Sequence, residues 1–146
     1  MYTKVEDIIK KIQKSEKVWS NKVRELTNKA KEIALIDIAN INADSISNRQ
    51  IVIDEISIYG SKIWRERQHL KKLEKNRFEF YATSYQIKTS GAEKLKLINS
   101  DLADRQYIVD LYDEHVMHLR DVAKHFDNIN FMVKNRLQAV TIIGYE

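Results

Sequence analysis

Hydrophobic residues recur at intervals of three and four along most of this chain, which is the period of an amphipathic α-helix. The clearest stripe runs from about Leu102 to Val140 and keeps these spacings for more than thirty residues. A helix of that length with a single apolar stripe needs a partner helix to cover it. The stripe consists of Ile108, Leu111, Tyr112, Val116, Leu119, Val122, Ala123, Phe126, Ile129, Val133, Leu137 and Val140.

Two further helical regions precede this stripe. Residues 1–42 form an N-terminal helical segment, one helix or two with a break near residues 15–20, because apolar residues repeat at helical spacing from Val5 onward. The polar residues between Asn42 and Asn48 predict the first boundary. A second, basic helix is predicted over 47–84, with Gly60 as a possible bend.

A loop is predicted over residues 85–100. Thr89-Ser90-Gly91 is the strongest turn signal in the chain, and Ser100 or Asp101 is the expected cap of the last helix, 101–141.

The predicted fold is therefore all-α, a single helical domain over 1–146. The second and last helices form a long antiparallel hairpin, with the N-terminal segment added to it and the apolar stripes making the protein oligomeric. The chain has no proline and three glycines, which favours long helices with few tight connections.

Positive charge is concentrated in the second helix. Residues 62–77 carry seven Lys or Arg against two Glu, a balance of +5, whereas the whole chain is only +4. Aromatic residues follow directly at Phe78, Phe80, Tyr81 and Tyr85. Cations neutralise phosphates and rings stack on bases, so this combination favours a single-stranded nucleic acid as ligand.

Less specific interpretations of these residues remain open. The basic run could be a solvated helix face, or the acidic stretch 101–121, with six acids and two Arg, could neutralise it within the hairpin. Phe78 and Phe80 are expected in the core. Tyr81 and Tyr85 are the better candidates for a face that meets a ligand or a second subunit.

Several classes of protein are disfavoured. Without cysteine there is no disulfide or thiolate metal site, and this fits a reducing cytoplasm. No run of 18 apolar residues predicts a membrane span. The chain lacks a Gly-rich phosphate loop, a His-Glu-x-x-His motif and a nucleophile elbow, so we expect neither an enzyme nor a cofactor. His115 and His118 could ligate a metal, but solvated surface histidines are the favoured interpretation.

Two short motifs resemble those of a known family. Lys75-Asn76-Arg77-Phe78-Glu79-Phe80-Tyr81 resembles the DNA-binding motif of UvsY-type recombination mediators of T-even-type phages. Val133-Lys134-Asn135-Arg136-Leu137-Gln138-Ala139-Val140 resembles the end of that family's last long helix. The resemblance covers roughly residues 56–142, and Leu137 stands where the family usually has glycine.

The resemblance implies a small, helical, ring-forming homo-oligomer without catalytic activity. Such mediators bind single-stranded DNA and help a RecA-like recombinase to replace single-strand-binding protein, in this case in the cytoplasm of a host cell. Lys75 and Arg77 match the family's DNA contacts, and Lys134 and Arg136 match the second motif.

Four other residues complete the predicted nucleic-acid site. Lys71, Lys72 and Lys88 would support the binding, while Tyr81 would stack on bases or pack between subunits. Residues two apart on a helix point about 200° apart. Lys75 and Arg77 would therefore reach one strand together only at a helix edge or across neighbouring subunits.

Two other functions compete with mediation. A helical structural or adaptor protein would use the basic face to bind an acidic protein. A regulator of duplex DNA would need a helix-turn-helix, and the sequence lacks its usual glycine-containing turn.

Overall fold

The computed structural model describes residues 2–31, 37–84 and 90–144. Helix α1 spans Tyr2–Lys31, α2 spans Ile38–Glu79, and α3 spans Gly91–Gly144. A short π-helical segment, Phe80–Ser84, follows α2. The described residues contain no β-strand, so the predicted all-α class is confirmed.

Helix α2 begins earlier than the polar residues predicted. It starts at Ile38, so Asn42–Asn48 lies inside a helix and the boundary predicted there is wrong. Ile38 and Ile41 are buried and continue the apolar period. Ser45 is also fully buried, and its hydroxyl donates a hydrogen bond to the Phe126 carbonyl, 3.0 Å away. A serine whose hydroxyl is hydrogen-bonded to a carbonyl of another helix can be buried inside a helix and does not require a loop.

Helix α3 also begins earlier than predicted, because Ser90 and Glu93 form a capping box. The Glu93 N–H donates to the Ser90 hydroxyl at 3.2 Å, and the Ser90 N–H donates to the Glu93 carboxylate at 3.3 Å. These two bonds satisfy backbone donors that a helix start leaves unpaired. The part of the predicted loop that covers residues 91–100 is therefore helical, with Ile98 buried.

Contacts within the chain group the residues into two compact units. The large unit is Met1–Ile58 with His115–Glu146, and the small unit is Tyr59–Glu114. Helices α2 and α3 contribute residues to both units. This grouping alone does not test the predicted single domain, which stays a prediction.

The core of the large unit lies between α1, the first half of α2 and the second half of α3. Trp19 is only 3% exposed, and its ring meets the ring of Phe126 edge to face at 6.0 Å. The indole N–H donates to Glu55 at 3.0 Å, so the polar edge of the buried ring is satisfied. One ring thereby links all three helical segments of this unit.

Two arginines of the large unit bind groups on another helix. The Arg49 guanidinium lies 2.6 Å from the Asp127 carboxylate. Arg136 donates to the Lys31 carbonyl at 3.1 Å, at the last residue of α1. Carbonyls in a last helical turn lack partners within their own helix, so Arg136 stabilises the end of α1.

The small unit has fewer buried hydrophobic side chains. Its buried hydrophobic residues within the described ranges are Ile63, Tyr81, Ile98, Ile108, Val109 and Tyr112. The Tyr59 and Tyr112 rings lie 5.6 Å apart, with the Lys62 ammonium 4.9 Å from the first and 6.0 Å from the second. Burial, and then the nearby Glu66, raise the pKa of Tyr112, so this phenol stays neutral.

Gly60 does not end a helix, because α2 continues through it, and the bend predicted there stays a prediction. Within the part of the chain that the structure describes, no helix has both the length and the apolar character needed to cross a bilayer.

Candidate nucleic-acid interface

The lysines of the predicted motif face solvent on α2 of the small unit. Lys71, Lys72 and Lys75 are exposed, and we call these three residues the lysine face. None of the three forms an ion pair with another described residue. Their charge is therefore accessible to an anionic ligand.

Arg77 is in a different environment from Lys75. Its Nε lies 3.6 Å from the Asp101 carboxylate, and its guanidinium carbon lies 5.6 Å from the centre of the Phe80 ring. The arginine side chain is 41% exposed. It can reach solvent, but a phosphate would have to compete with Asp101 for it.

The basic run is therefore neutralised only in part. Arg67 lies 3.2 Å from Asp113, which lies in the acidic stretch, as Asp101 does. Arg105 of α3 lies 3.4 Å from Glu66 of α2. Arg67 and Arg77 form ion pairs with the acidic stretch, whereas the lysines of the lysine face do not. Neutralisation within the chain therefore applies to the two arginines, and a solvated helix face applies to the three lysines.

The aromatic residues are arranged opposite to the prediction. Phe78 and Phe80, expected in the core, are 46% and 39% exposed. Tyr81, expected on a ligand-facing surface, is buried, and its hydroxyl donates to Asp101 at 2.7 Å. A buried ring has little surface to offer a base. Burial of the ring does not favour stacking of Tyr81 on bases, and the tyrosine hydroxyl contacts Asp101.

The second motif lies in the large unit. Lys134 is exposed beside an apolar groove of about 560 Å³, whose walls include Ile38, Ile46, Phe131 and Leu137. Arg136 contacts the Lys31 carbonyl, so at least part of its donor capacity serves the fold. Lys88 and Tyr85 lie outside the described residues.

His115 and His118 were both expected at the surface, and this prediction is wrong for His115. This residue is fully buried in the large unit, with Nδ1 3.5 Å from Glu16 of α1 and its ring stacked on His118 at 6.2 Å. Burial lowers the pKa of His115, although the contact with Glu16 opposes this shift. No metal-binding group of three His or carboxylate residues occurs among the described residues.

Sequence reasoning missed Trp64. Its side chain is 64% exposed on α2, so the ring is accessible to a ligand. The available signal was its position relative to the lysines: Lys71 and Lys75 follow it by seven and eleven residues and therefore share its side of the helix.

Comparisons with protein-family models, curated proteins and solved structures each found no match to the chain. The resemblance to UvsY-type mediators therefore stays a prediction that rests on the two short motifs.

Proposed function

We propose that this chain binds single-stranded DNA through the lysine face of α2. The observation that carries the proposal is the set of three exposed lysines without an ion-pair partner among the described residues, beside the exposed ring of Phe78. Phosphates supply the charge that these ammonium groups require, and an unpaired strand offers base faces for stacking.

We further propose that the bound strand is passed to a RecA-like recombinase in place of single-strand-binding protein. This step is implied by the resemblance of Lys75-Asn76-Arg77-Phe78 to the mediator motif. A mediator must release the strand, and a surface of a few lysines suits reversible binding. Repetition of the site around a homo-oligomeric ring would raise the total affinity by effective concentration.

Antiparallel pairing of α2 with α3 is part of the same proposal. Tyr59 contacts Tyr112, Glu66 contacts Arg105, and Arg77 contacts Asp101, so partners from low to high positions on α2 run from high to low positions on α3. Oligomerisation is supported by exposed apolar side chains of the large unit. Phe131, Ile46 and Leu137 are 65%, 55% and 46% exposed around the apolar groove.

The direct test is fluorescence anisotropy of a labelled single-stranded oligonucleotide, titrated with the protein at several salt concentrations. We expect binding that weakens steeply with salt, tolerates changes of sequence, and is competed poorly by duplex DNA. Absence of binding at low salt would overturn the proposal. Binding of an acidic protein instead would favour the adaptor function, and preference for duplex would favour a regulator of duplex DNA.

Lys75 and Arg77 can be separated in the same assay. Lys75→Ala should make the plot of log affinity against log salt concentration less steep by about 0.7, which corresponds to the loss of one phosphate contact. Arg77→Ala should change the slope less, because Asp101 already holds the guanidinium. The reverse order would mean that the strand displaces Asp101 from Arg77.

A further inference from the structure

Trp64 is exposed to an unusual degree for a tryptophan. The residue is large and apolar, and in folded proteins it is highly buried on average. Trp64 is nevertheless 64% exposed, and within the described residues it makes no hydrogen bond or ring contact. Trp19, in contrast, is 3% exposed, packs edge to face against Phe126 and donates to Glu55. Trp64 therefore contributes little to the core of the small unit.

The position of Trp64 places it in line with the basic residues. In a helix of 3.6 residues per turn, positions i, i+7, i+11 and i+14 fall within about 60° of one another and extend over about 21 Å. All four side chains at these positions of α2 are exposed, and we call them the Trp64 stripe. The stripe consists of Trp64, Lys71, Lys75 and Phe78.

The Trp64 stripe has an aromatic ring at each end and two ammonium groups between them, and this arrangement matches a single-stranded nucleic acid. The ammonium groups bind backbone phosphates, and each ring offers a face on which a base can stack. Bases of a single strand can turn toward such a ring, whereas those of a duplex are stacked on each other. An acidic protein would pair with the lysines, but it would have to supply apolar side chains at both ends of the stripe to cover the two rings.

We infer that Trp64 is a base-stacking residue of this surface and that a single strand runs along the Trp64 stripe, from Trp64 over the lysines to Phe78. The inference rests on the proposed function and deepens it. It assigns the stacking to Trp64 and Phe78, and it extends the site well beyond the motif at 75–81. The stripe contains no group arranged to read a base edge, so oligo-dT and oligo-U should both bind.

Tryptophan fluorescence tests this directly, because the chain has only two tryptophans. Stacking on a base should quench Trp64 emission when oligo-dT is added, while buried Trp19 supplies a constant background. A Trp64→Phe variant should lose the quenching but keep most of the affinity, since phenylalanine also stacks. Trp64→Ala should weaken binding roughly 5- to 150-fold, the range reported for loss of one stacked base.

The matched control is Met117→Ala, which removes an equally exposed apolar side chain, 64% exposed, from the large unit. It should leave the oligo-dT affinity unchanged. Because Trp64 is exposed, Trp64→Ala should fold normally, and its circular dichroism melting curve checks this. A variant that melts like the parent protein makes any loss of affinity attributable to the surface.

The outcomes separate this inference from the proposed function. If anisotropy detects single-strand binding but Trp64 emission is unchanged and Trp64→Ala binds normally, the inference is wrong and the proposed function stands. If no oligonucleotide binds, both are wrong. If Trp64→Ala lowers the molar mass measured by sedimentation and no quenching is seen, Trp64 packs against a second copy of the chain instead.

Discussion

The two units of this protein differ in how they use hydrophobic side chains. Among the described residues, fifteen buried hydrophobic residues belong to the large unit and six to the small unit. The large unit closes its core around Trp19 and Phe126. The small unit keeps Trp64, Phe78 and Phe80 on its surface and relies on pairs such as Tyr81 with Asp101.

This difference indicates a division of roles. Burial of apolar surface supplies most of the stability of a fold, so the large unit is the main source of stability. Exposed rings next to unpaired lysines cost stability or add little, and such surfaces are typical of binding sites. Substitutions in the core of the large unit should therefore affect unfolding most, while substitutions of the exposed rings and unpaired lysines of the small unit should affect binding.

The largest expected effect is that of Phe126→Ala. Phe126 is fully buried and contacts Trp19, so its removal should lower the free energy of unfolding by about 3–5 kcal/mol. Urea unfolding followed by circular dichroism measures the change. Met117→Ala on the same helix, at a position that is 64% exposed, should stay within about 0.5 kcal/mol of the parent protein. Equal effects would contradict the assignment of the core.

Tyr81→Phe should have a smaller effect, in the small unit. The substitution removes the hydrogen bond to Asp101 and should cost about 0.5–1.5 kcal/mol. Tyr107→Phe is the control, because Tyr107 is 48% exposed and should tolerate loss of its hydroxyl. If Tyr81→Phe instead weakened oligonucleotide binding without changing stability, Tyr81 would belong to the binding surface after all.

The stability of the large unit should depend on pH through His115. Its pKa in the folded protein lies below the usual 6.5, so between these two values the unfolded chain binds more protons. The free energy of unfolding should therefore be fully retained above pH 6.5 and fall as the pH is lowered through that value. The groups that influence His115 are Glu16 from α1, Glu55 from α2 and His118 from α3.

His115→Gln should flatten this pH dependence in urea unfolding at a series of pH values. His125→Gln is the control, because His125 is exposed on α3 and should leave the dependence as it is. A dependence that survives His115→Gln would assign the titration to another group.

The smallest effect is expected for Gly60→Ala in the small unit. Gly60 lies within α2 at an exposed position, and a Cβ there would meet no atom within 4 Å. Alanine should stabilise the protein by roughly 0.5–1 kcal/mol because it restricts the unfolded chain and favours helix. Thermal unfolding measures this. A loss of stability would show that α2 needs glycine at this position.

Periodicity was sufficient for the fold class but not for the ends of the helices. The stripe from Leu102 to Val140 predicted a helix, and that helix exists within α3. Ser45 misled the prediction because the partner of its hydroxyl, the Phe126 carbonyl, is distant in sequence. Ser90 and Glu93, in contrast, carried a capping signal that the sequence contained, although Thr89-Ser90-Gly91 was interpreted as a turn.

The exposure of the aromatic residues could have been predicted from helical phase. Tyr81 follows buried Ile63 by eighteen residues, about five helical turns, so the two share a face. Phe78 instead shares the face of Lys71 and Lys75. The pairing of Arg77 with Asp101 was not predictable, because it depends on how two segments distant in sequence are aligned.

The most direct test of the central claim compares two double variants of equal charge change in the oligonucleotide assay. The first double variant, Lys71→Ala with Lys75→Ala, removes two exposed lysines of the small unit that lie four residues apart. The second, Lys10→Ala with Lys14→Ala, removes two exposed lysines of α1 in the large unit at the same spacing. We predict that the first pair weakens single-strand binding and lowers the salt slope by about 1.4, while the second pair changes neither appreciably. Equal effects of both pairs would mean that net charge alone drives binding, which would contradict a binding site on α2.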